Sequence, residues 1–366
     1  MFKMAIVGTA HMHANEIALY IHEHPEAELV GVADLTPAEP ENTQARYTRA
    51  WNLKNIADTY GAPVFADYRE MLDQLKPDLS FILCENDRKK EAAFACAERG
   101  LNFCLEKPMA MTLEEAKEIS AAAQKAGVEA MVNWPVIWRG YVNQLIHALN
   151  AGVCGQPIKL EYLNGHTGPL GKGAKHRGVS DTAEEMTDET RARTWWYQER
   201  HGGGVFLDIL CYGSLYSRWT LGGDWQAVTA LGMNLATPCC DCADNAAALV
   251  RFPGRMAVLG GTWTTPNAFI MTGPAVFCTD GVLYCSRDAA GKPCVKAMDI
   301  YGKELPGPAY EQPAELTNMV WNYIHHKKTG APLHLPAQLP VNLEIIGLLE
   351  AAVRSAQEHR EIEAAQ

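Results

Sequence analysis

The sequence predicts an α/β domain with a doubly wound, mainly parallel sheet over residues 1–133, then an α+β domain with a largely antiparallel sheet over 134–366. Short apolar runs alternate with helical patterns through the first stretch, as parallel strands with crossover helices do. Beyond Trp134 strand-like segments succeed one another with few helices between them, and Phe252-Pro253-Gly254-Arg255 reads as a hairpin. A chain of 366 residues is long enough for two such cores.

Phe2 to Gly8 is a first apolar strand, and Ile17, Ala18 and Ile21 give His13 to His22 a helical face. Glu28 to Asp34 is a second strand closing in an aspartate. A helix at Tyr68–Leu75 precedes a strand at Leu79–Cys84, and a helix at Arg88–Arg99 is stopped by Gly100. The apolar run Leu101–Leu105 then leads into Glu106-Lys107-Pro108. Thr112 and Glu115 form a capping box for a helix over Leu113–Ala126, which Gly127 closes before a strand at Val128–Asn133. In the second half a helix over Val142–Ala151 ends at Gly152. Strands are expected at Ile158–Leu163, Trp225–Met233, Ala246–Phe252, Met256–Thr264 and Ala275–Thr279, and helices at Glu315–Lys328 and Val341–Glu358. Gly165 to Arg200 is polar and unpatterned, which in a compact domain points to a functional lid or a mobile segment.

A net charge of −11 with no basic stripe excludes nucleic acid as a partner. No apolar run approaches the roughly 20 residues of a membrane helix. Eleven scattered cysteines suit a reducing compartment, and the chain enters its first strand with no leader ahead of it. A soluble, cytoplasmic protein is expected.

The first strand-to-helix turn is Gly8-Thr9-Ala10-His11-Met12-His13. Of the three glycines in a dinucleotide fingerprint only Gly8 is present. Asp34 follows His13 by 21 residues, close to the roughly 20-residue offset of an acid that binds a ribose 2′-hydroxyl. Such an acid repels a 2′-phosphate and favours NAD over NADP; otherwise Asp34 is a turn residue. His11 and His13, at a helix N-terminus, are expected neutral, and either can face a pyrophosphate or a substrate or simply pack. His-x-His also suits a metal, but no third ligand is evident, so none is expected. Cys239-Cys240-Asp241-Cys242 has poor spacing for zinc and reads as a loop between strands.

Lys107 should stand at the carboxyl end of a parallel strand, where open α/β sheets bind ligands. Gly202-Gly203-Gly204 opens a helix over Val205–Leu221, with Asp208 and Tyr212 four apart on one face. An aspartate and a tyrosine on an apolar helix need buried partners, and Lys107 is the obvious one. Oxidising a secondary alcohol requires hydride departure while a base takes the hydroxyl proton. Tyr212 can be that base if Lys107 lowers its pKa, or Lys107 can take the proton if burial lowers its own. The alternatives without chemistry are a helix-dipole partner for Asp208 and a core position for Tyr212.

These motifs, with Asp244-Asn245-Ala246 before a strand and Gly281 after Thr279-Asp280, resemble the glucose–fructose oxidoreductase, inositol dehydrogenase and rhizopine-catabolism (Gfo/Idh/MocA) family over nearly the whole chain. The resemblance implies a Rossmann domain and a C-terminal α+β domain whose large open-faced sheet makes homodimer or homotetramer contacts. It implies a nicotinamide cofactor and a sugar, cyclitol or glycoside substrate. Lys107 and Asp208 match the family's catalytic lysine and aspartate. Tyr212 falls where most members carry a histidine, as in the glucose–fructose oxidoreductase branch. Gly8, Thr9, Ala10, His11, Met12, Asp34, Cys84, Glu85, Asn86, Glu106 and Lys107 are then expected to hold the cofactor. Ala10 and Cys84-Glu85 depart from the usual glycine and Thr-Pro pair. Lys107, Asn133, His166, Arg177, Trp195, Trp196, Asp208 and Tyr212 are expected at the substrate. Two other ends for the fold are open: glycoside cleavage through a 3-keto sugar with recycled NAD, and non-catalytic sugar sensing.

Overall fold

The computed structural model describes residues 1–37, 40–41, 43–266 and 273–364. Six parallel strands open the chain: β1 (Phe2–Val7), β2 (Ala27–Ala33), β3 (Val64–Phe65), β4 (Leu79–Ile82), β5 (Phe103–Glu106) and β6 (Ala130–Asn133). They lie in the order β3-β2-β1-β4-β5-β6, so the strand order reverses beside β1 and a crevice opens at its carboxyl end. The intervening helices are α1 (His13–Glu23), α2 (Arg49–Tyr60), α3 (Tyr68–Leu75), α4 (Lys89–Glu98) and α5 (Leu113–Ala126). Helices on both faces explain why Met4, Ala5, Ile6 and Val7 are all buried. The capping box forms as the sequence predicts: Thr112 Oγ1 accepts from the Glu115 N–H, and Glu115 reaches back to the Met111 N–H.

Among the described residues the second sheet has nine strands. In chain order they are β7 (Pro157–Gly165), β8 (Ala227–Met233), β9 (Asn245–Phe252), β10 (Arg255–Thr262), β11 (Ala275–Cys278), β12 (Gly281–Arg287), β13 (Pro293–Asp299), β14 (Glu304–Leu305) and β15 (Ile362–Glu363). All pairings are antiparallel except β7 with β10. Along β9, Ala246, Ala248, Val250 and Phe252 are buried while Ala247, Leu249 and Arg251 are exposed, so only one face is covered. That covered face packs on α8 (Cys211–Leu221) and α10 (Leu339–Glu358); α6 (Gly140–Asn150), α7 (Asp188–Ala192) and α9 (Met319–Thr329) complete the helices. Among the described residues no helix is long and apolar enough to cross a membrane.

The expected fold class holds, with differences that have physical reasons. The sequence reading passes over α2, which buries only Arg49, Asn52 and Ile56 and so shows no apolar stripe. It also misses β12 and β13, whose residues are a mixture of polar and apolar near the sheet edge. The helix expected from Val205 begins with a π-helical turn, Phe206–Leu210, before α8. The stretch taken as structureless holds α7 and two 3₁₀ turns, and it buries Trp195, Trp196 and Tyr197.

Candidate active site

Lys107 follows β5 directly and reaches across to the π-helical turn. Its Nζ donates to the Asp208 backbone oxygen at 2.6 Å and to Oδ1 at 3.0 Å. Single π-helical turns recur at functional sites, and this one directs both a carbonyl and a carboxylate oxygen of one residue at the lysine. The glycines before it permit the approach: a Cβ on Gly203 would lie 2.4 Å from the Trp196 carbonyl oxygen. The second Asp208 oxygen accepts from Trp263 Nε1 at 2.9 Å and lies 3.4 Å from His166 Nε2. His166 Nδ1 is buried without a partner. Lys107, Asp208 and His166 wall a cavity of about 310 Å³ that also touches His11, Met12, Trp196, Tyr212, Arg139, Lys175 and Arg287.

The electrostatics of the site run against both proton routes drawn from sequence. Burial pushes the Tyr212 phenol well above its ordinary value, and Lys107 opposes this without prevailing. The ammonium lies over the ring face, 4.7 Å from the centroid. Lys107 is not lowered either. Burial acts to lower it, but Tyr212 and Asp208 outweigh that and hold the ammonium well above its usual range. At neutral pH the phenol is uncharged, so Asp208 is the effective partner. Asp208 in turn stays ionised: burial would raise its carboxyl, yet Lys107 and the His166 hydrogen bond hold it far below the usual carboxylate range. The central pair is therefore a fixed ammonium–carboxylate, and neither member is ready to exchange a proton.

At the crevice, Gly8 is left-handed (φ +89°), and a Cβ there would fall 2.6 Å from the Cys84 nitrogen, so glycine alone lets β1 and β4 end this close together. Asp34 Oδ1 accepts from the Thr9 N–H at 2.9 Å, and its other oxygen meets Arg49 Nε at 2.9 Å. Arg49 also bonds Glu85 at 2.7 Å. A nicotinamide dinucleotide fits the strand reversal, the Gly8 turn, the acid closing β2 and the lysine closing β5. The balance at Asp34 is different from the expectation, because Arg49 offsets its charge and weakens the electrostatic case against a 2′-phosphate.

His13 Nδ1 lies 3.0 Å from Glu106, whose other oxygen accepts from Asn133 Nδ2 at 2.9 Å. Burial acts against a charged His13, but Glu106 prevails and raises its pKa. Burial and then His13 lower His11, which stays neutral against Trp196. Donor atoms of His11, His13 and Glu106 lie within 4.8 Å of one another, so the fold supplies the third donor that the sequence lacks. The His13–Glu106 hydrogen bond accounts for that group without an ion.

Of the residues expected at the substrate, Lys107, Asp208, Tyr212, His166 and Trp196 line the cavity. Trp195 stacks on Trp196 and donates to the Ala10 oxygen at 3.0 Å. Asn133 lies behind Glu106. Arg177 lies over the Tyr20 ring in a neighbouring cavity. Among the cofactor candidates, Cys84 is buried behind Gly8, and Asn86 bonds Gly202 and Lys89. Sequence reasoning misses Trp263, Arg139, Arg287 and Lys89. Trp263 lies just past the end of β10, so the unusual Trp after Gly-Gly-Thr was the only trace of it. Lys89 resembles any surface lysine of a helix, yet it is fully buried and donates to Asn86 Oδ1, Glu106 O and Pro108 O.

Residues 2–134 match the oxidoreductase family with an NAD-binding Rossmann fold, and residues 144–303 match the GFO/IDH/MocA C-terminal domain. An uncharacterized oxidoreductase of Streptococcus pneumoniae is 26% identical over 64% of this chain and 54% of its own length. The D-glucoside 3-dehydrogenase of Escherichia coli is 28% identical over 42% of this chain and 40% of its own. The chain thus spans about half the length of these curated relatives. The aldose–aldose oxidoreductase of Caulobacter crescentus, solved with glycerol, superposes with a TM-score of 0.75 at 19% identity, over 99% of both chains. With both domains matched over most of its length, the chain belongs to the Gfo/Idh/MocA oxidoreductase family.

Proposed function

We propose that this protein is an NAD-dependent dehydrogenase that oxidises a secondary hydroxyl of a sugar, cyclitol or glycoside. The observation that carries the reading is the Asp208 carboxylate, which accepts from Trp263 and gathers Lys107 and His166 at one wall of a cavity reaching the turn after β1. The names of relatives such as the D-glucoside 3-dehydrogenase support the substrate class. Residues 1–133 would form the nucleotide domain. Residues 134–366 would form the substrate domain and, through the open sheet face bearing Leu163, Leu231 and Leu249, the contact of a cytoplasmic homo-oligomer.

Bound NAD would supply the hydride acceptor, held by the Gly8 turn, Asp34 and Lys107. Lys107 directs two donors at Asp208, and its remaining N–H serves the substrate hydroxyl, stabilising negative charge as the proton leaves. Asp208 fixes that ammonium and orients His166. With Nε2 toward Asp208 and Nδ1 unpartnered, His166 offers a ring nitrogen to take the proton. Tyr212 shapes the floor beneath Lys107. Absorbance at 340 nm with a panel of sugars, cyclitols and glycosides tests the reading, and identifying the nucleotide released on denaturation tests the cofactor. Failure of every panel member to reduce NAD, with nucleotide bound, would refute net dehydrogenation.

One observation favours a second reading, redox-assisted glycoside cleavage with recycled NAD. Trp195 and Gly202 close over the crevice through Ala10 and Asn86, an arrangement suited to retaining a nucleotide between turnovers. Aglycone release without net NADH would establish it. Turnover undiminished in Lys107→Met would sink both catalytic readings.

A further inference from the structure

The cavity around Lys107 and Asp208 has a charge pattern that hydride transfer from a neutral sugar does not require. Four cations line it, Lys107, Arg139, Lys175 and Arg287, against the single carboxylate of Asp208. Asp208 is already matched to Lys107. The other three come from separate parts of the chain: the turn before α6, the long segment after β7, and the end of β12. A sequence charge run therefore does not explain their meeting. Among the described residues none of the three has a carboxylate partner. Arg139 bonds the Tyr141 hydroxyl, and the groups facing it are phenols; Arg287 bonds the Gly291 carbonyl.

Elsewhere this acidic chain pairs many of its exposed cations. Lys54 meets Asp58, Lys90 meets Glu118, Arg99 meets Asp73, Lys172 meets Glu185 and Arg251 meets Glu361. In a protein of net charge −11, three unmatched cations around one cavity concentrate positive potential where a ligand enters. Guanidinium groups suit the planar or tetrahedral oxygens of carboxylate and phosphate. A volume of about 310 Å³ lies at the small end of ligand pockets, so the occupant is one sugar ring with a short substituent.

We propose that Arg139, Lys175 and Arg287 form an anion subsite, and that the substrate is a monosaccharide or cyclitol bearing a carboxylate or phosphate. The proposal rests on the dehydrogenase reading for the identity of the sugar, but the anion subsite has its own readout. Thermal-shift and calorimetric titration of the full-length protein would compare glucose, glucuronate and glucose 6-phosphate at low and high salt. At least one of the two anions is expected to bind about tenfold more tightly than glucose, with the gap shrinking as salt rises. The tighter of the two names the anion.

Arg139→Gln, Lys175→Gln and Arg287→Gln should each narrow the gap. Lys172→Gln, outside the cavity and paired with Glu185, should leave it unchanged. Equal binding of glucose and both anions at every salt concentration would overturn the subsite, whatever the 340 nm assay shows. Anion-selective binding with no turnover of any sugar would uphold the subsite and sink the dehydrogenase reading instead.

Discussion

At the turn after β1, polar groups are bonded to other parts of the chain: the Thr9 N–H to Asp34, the Thr9 hydroxyl to the Arg49 carbonyl, the Ala10 oxygen to Trp195, the His11 N–H to Leu83. Around Lys107 the same kinds of group are gathered but left incomplete. Lys107 has a donor to offer, and among the described residues His166 Nδ1 has no partner and three cations lack an acid. The first arrangement holds backbone in place. The second leaves hydrogen-bonding capacity beside a cavity, where a ligand can complete it. The contrast predicts that substitutions at the turn will act on stability and those at the cavity on turnover.

The largest effect is expected at the pair itself. Lys107→Met or Asp208→Asn should lower kcat by about 10³-fold, near the upper end for loss of one transition-state donor and about 4 kcal/mol at 1.36 per decade. Nucleotide content of purified Asp208→Asn should not change. Retained kcat in both variants would erase the distinction between the two regions.

Lys89 tests the boundary between them, because it lies beneath the active lysine yet faces no cavity. Its Nζ bonds two backbone oxygens on either side of Lys107 and the Asn86 side chain. Lys89→Met strands three buried acceptors at about 1 kcal/mol or more each. Burial pushes the ammonium down to about 8, so removing the charge returns part of that loss. A net destabilisation of about 2–3 kcal/mol by urea unfolding is expected. A smaller loss would mean that the Glu106–Pro108 turn holds itself.

His166 and Tyr212 separate a group that moves a proton from one that shapes the site. His166→Gln should cost about 10²-fold in kcat. Tyr212→Phe should cost less than about tenfold, because a phenol raised by burial is not the base. The reverse ranking would restore Tyr212 as the proton carrier.

Much of this was legible beforehand. Strand–helix alternation gave the parallel sheet, and Gly-rich sequence before an apolar helix gave the Asp208 approach to Lys107. Both are local patterns that burial enforces. What was not legible depends on distant chain segments meeting. Trp263 and His166 reach Asp208 only because β7 and β10 pair in parallel and end together. Arg49 reaches Asp34 from a helix with no apolar stripe to announce it. The proton route stayed open for the same reason: sequence brought Lys107 near Tyr212 and Asp208 but did not show the ammonium bonded to Asp208 while lying on the phenol's ring face.

The smallest expected effect concerns two histidines at the meeting of the regions. His176, packed near His13, is lowered to about 3 by burial and by the His13 charge, with the Pro169 carbonyl opposing. His13 is raised by Glu106 despite burial. A histidine whose folded pKa is depressed contributes stability that is complete above its unfolded value of about 6.5 and lost as pH falls toward the folded one. A raised one contributes stability that is complete below about 6.5 and lost as pH climbs through its folded value. The two therefore act at opposite sides of neutrality. Between pH 6 and 4 the His176 contribution should decline by about 1 kcal/mol per unit at most, less for a ring that is partly exposed. His176→Gln should flatten the acid side of a Tm–pH curve, and Glu106→Gln should weaken the His13 contribution and move the alkaline side. If His176→Gln left the acid side unchanged while Glu106→Gln altered it, the hydrogen-bonded turn, not the cavity wall, would be the source of acid sensitivity.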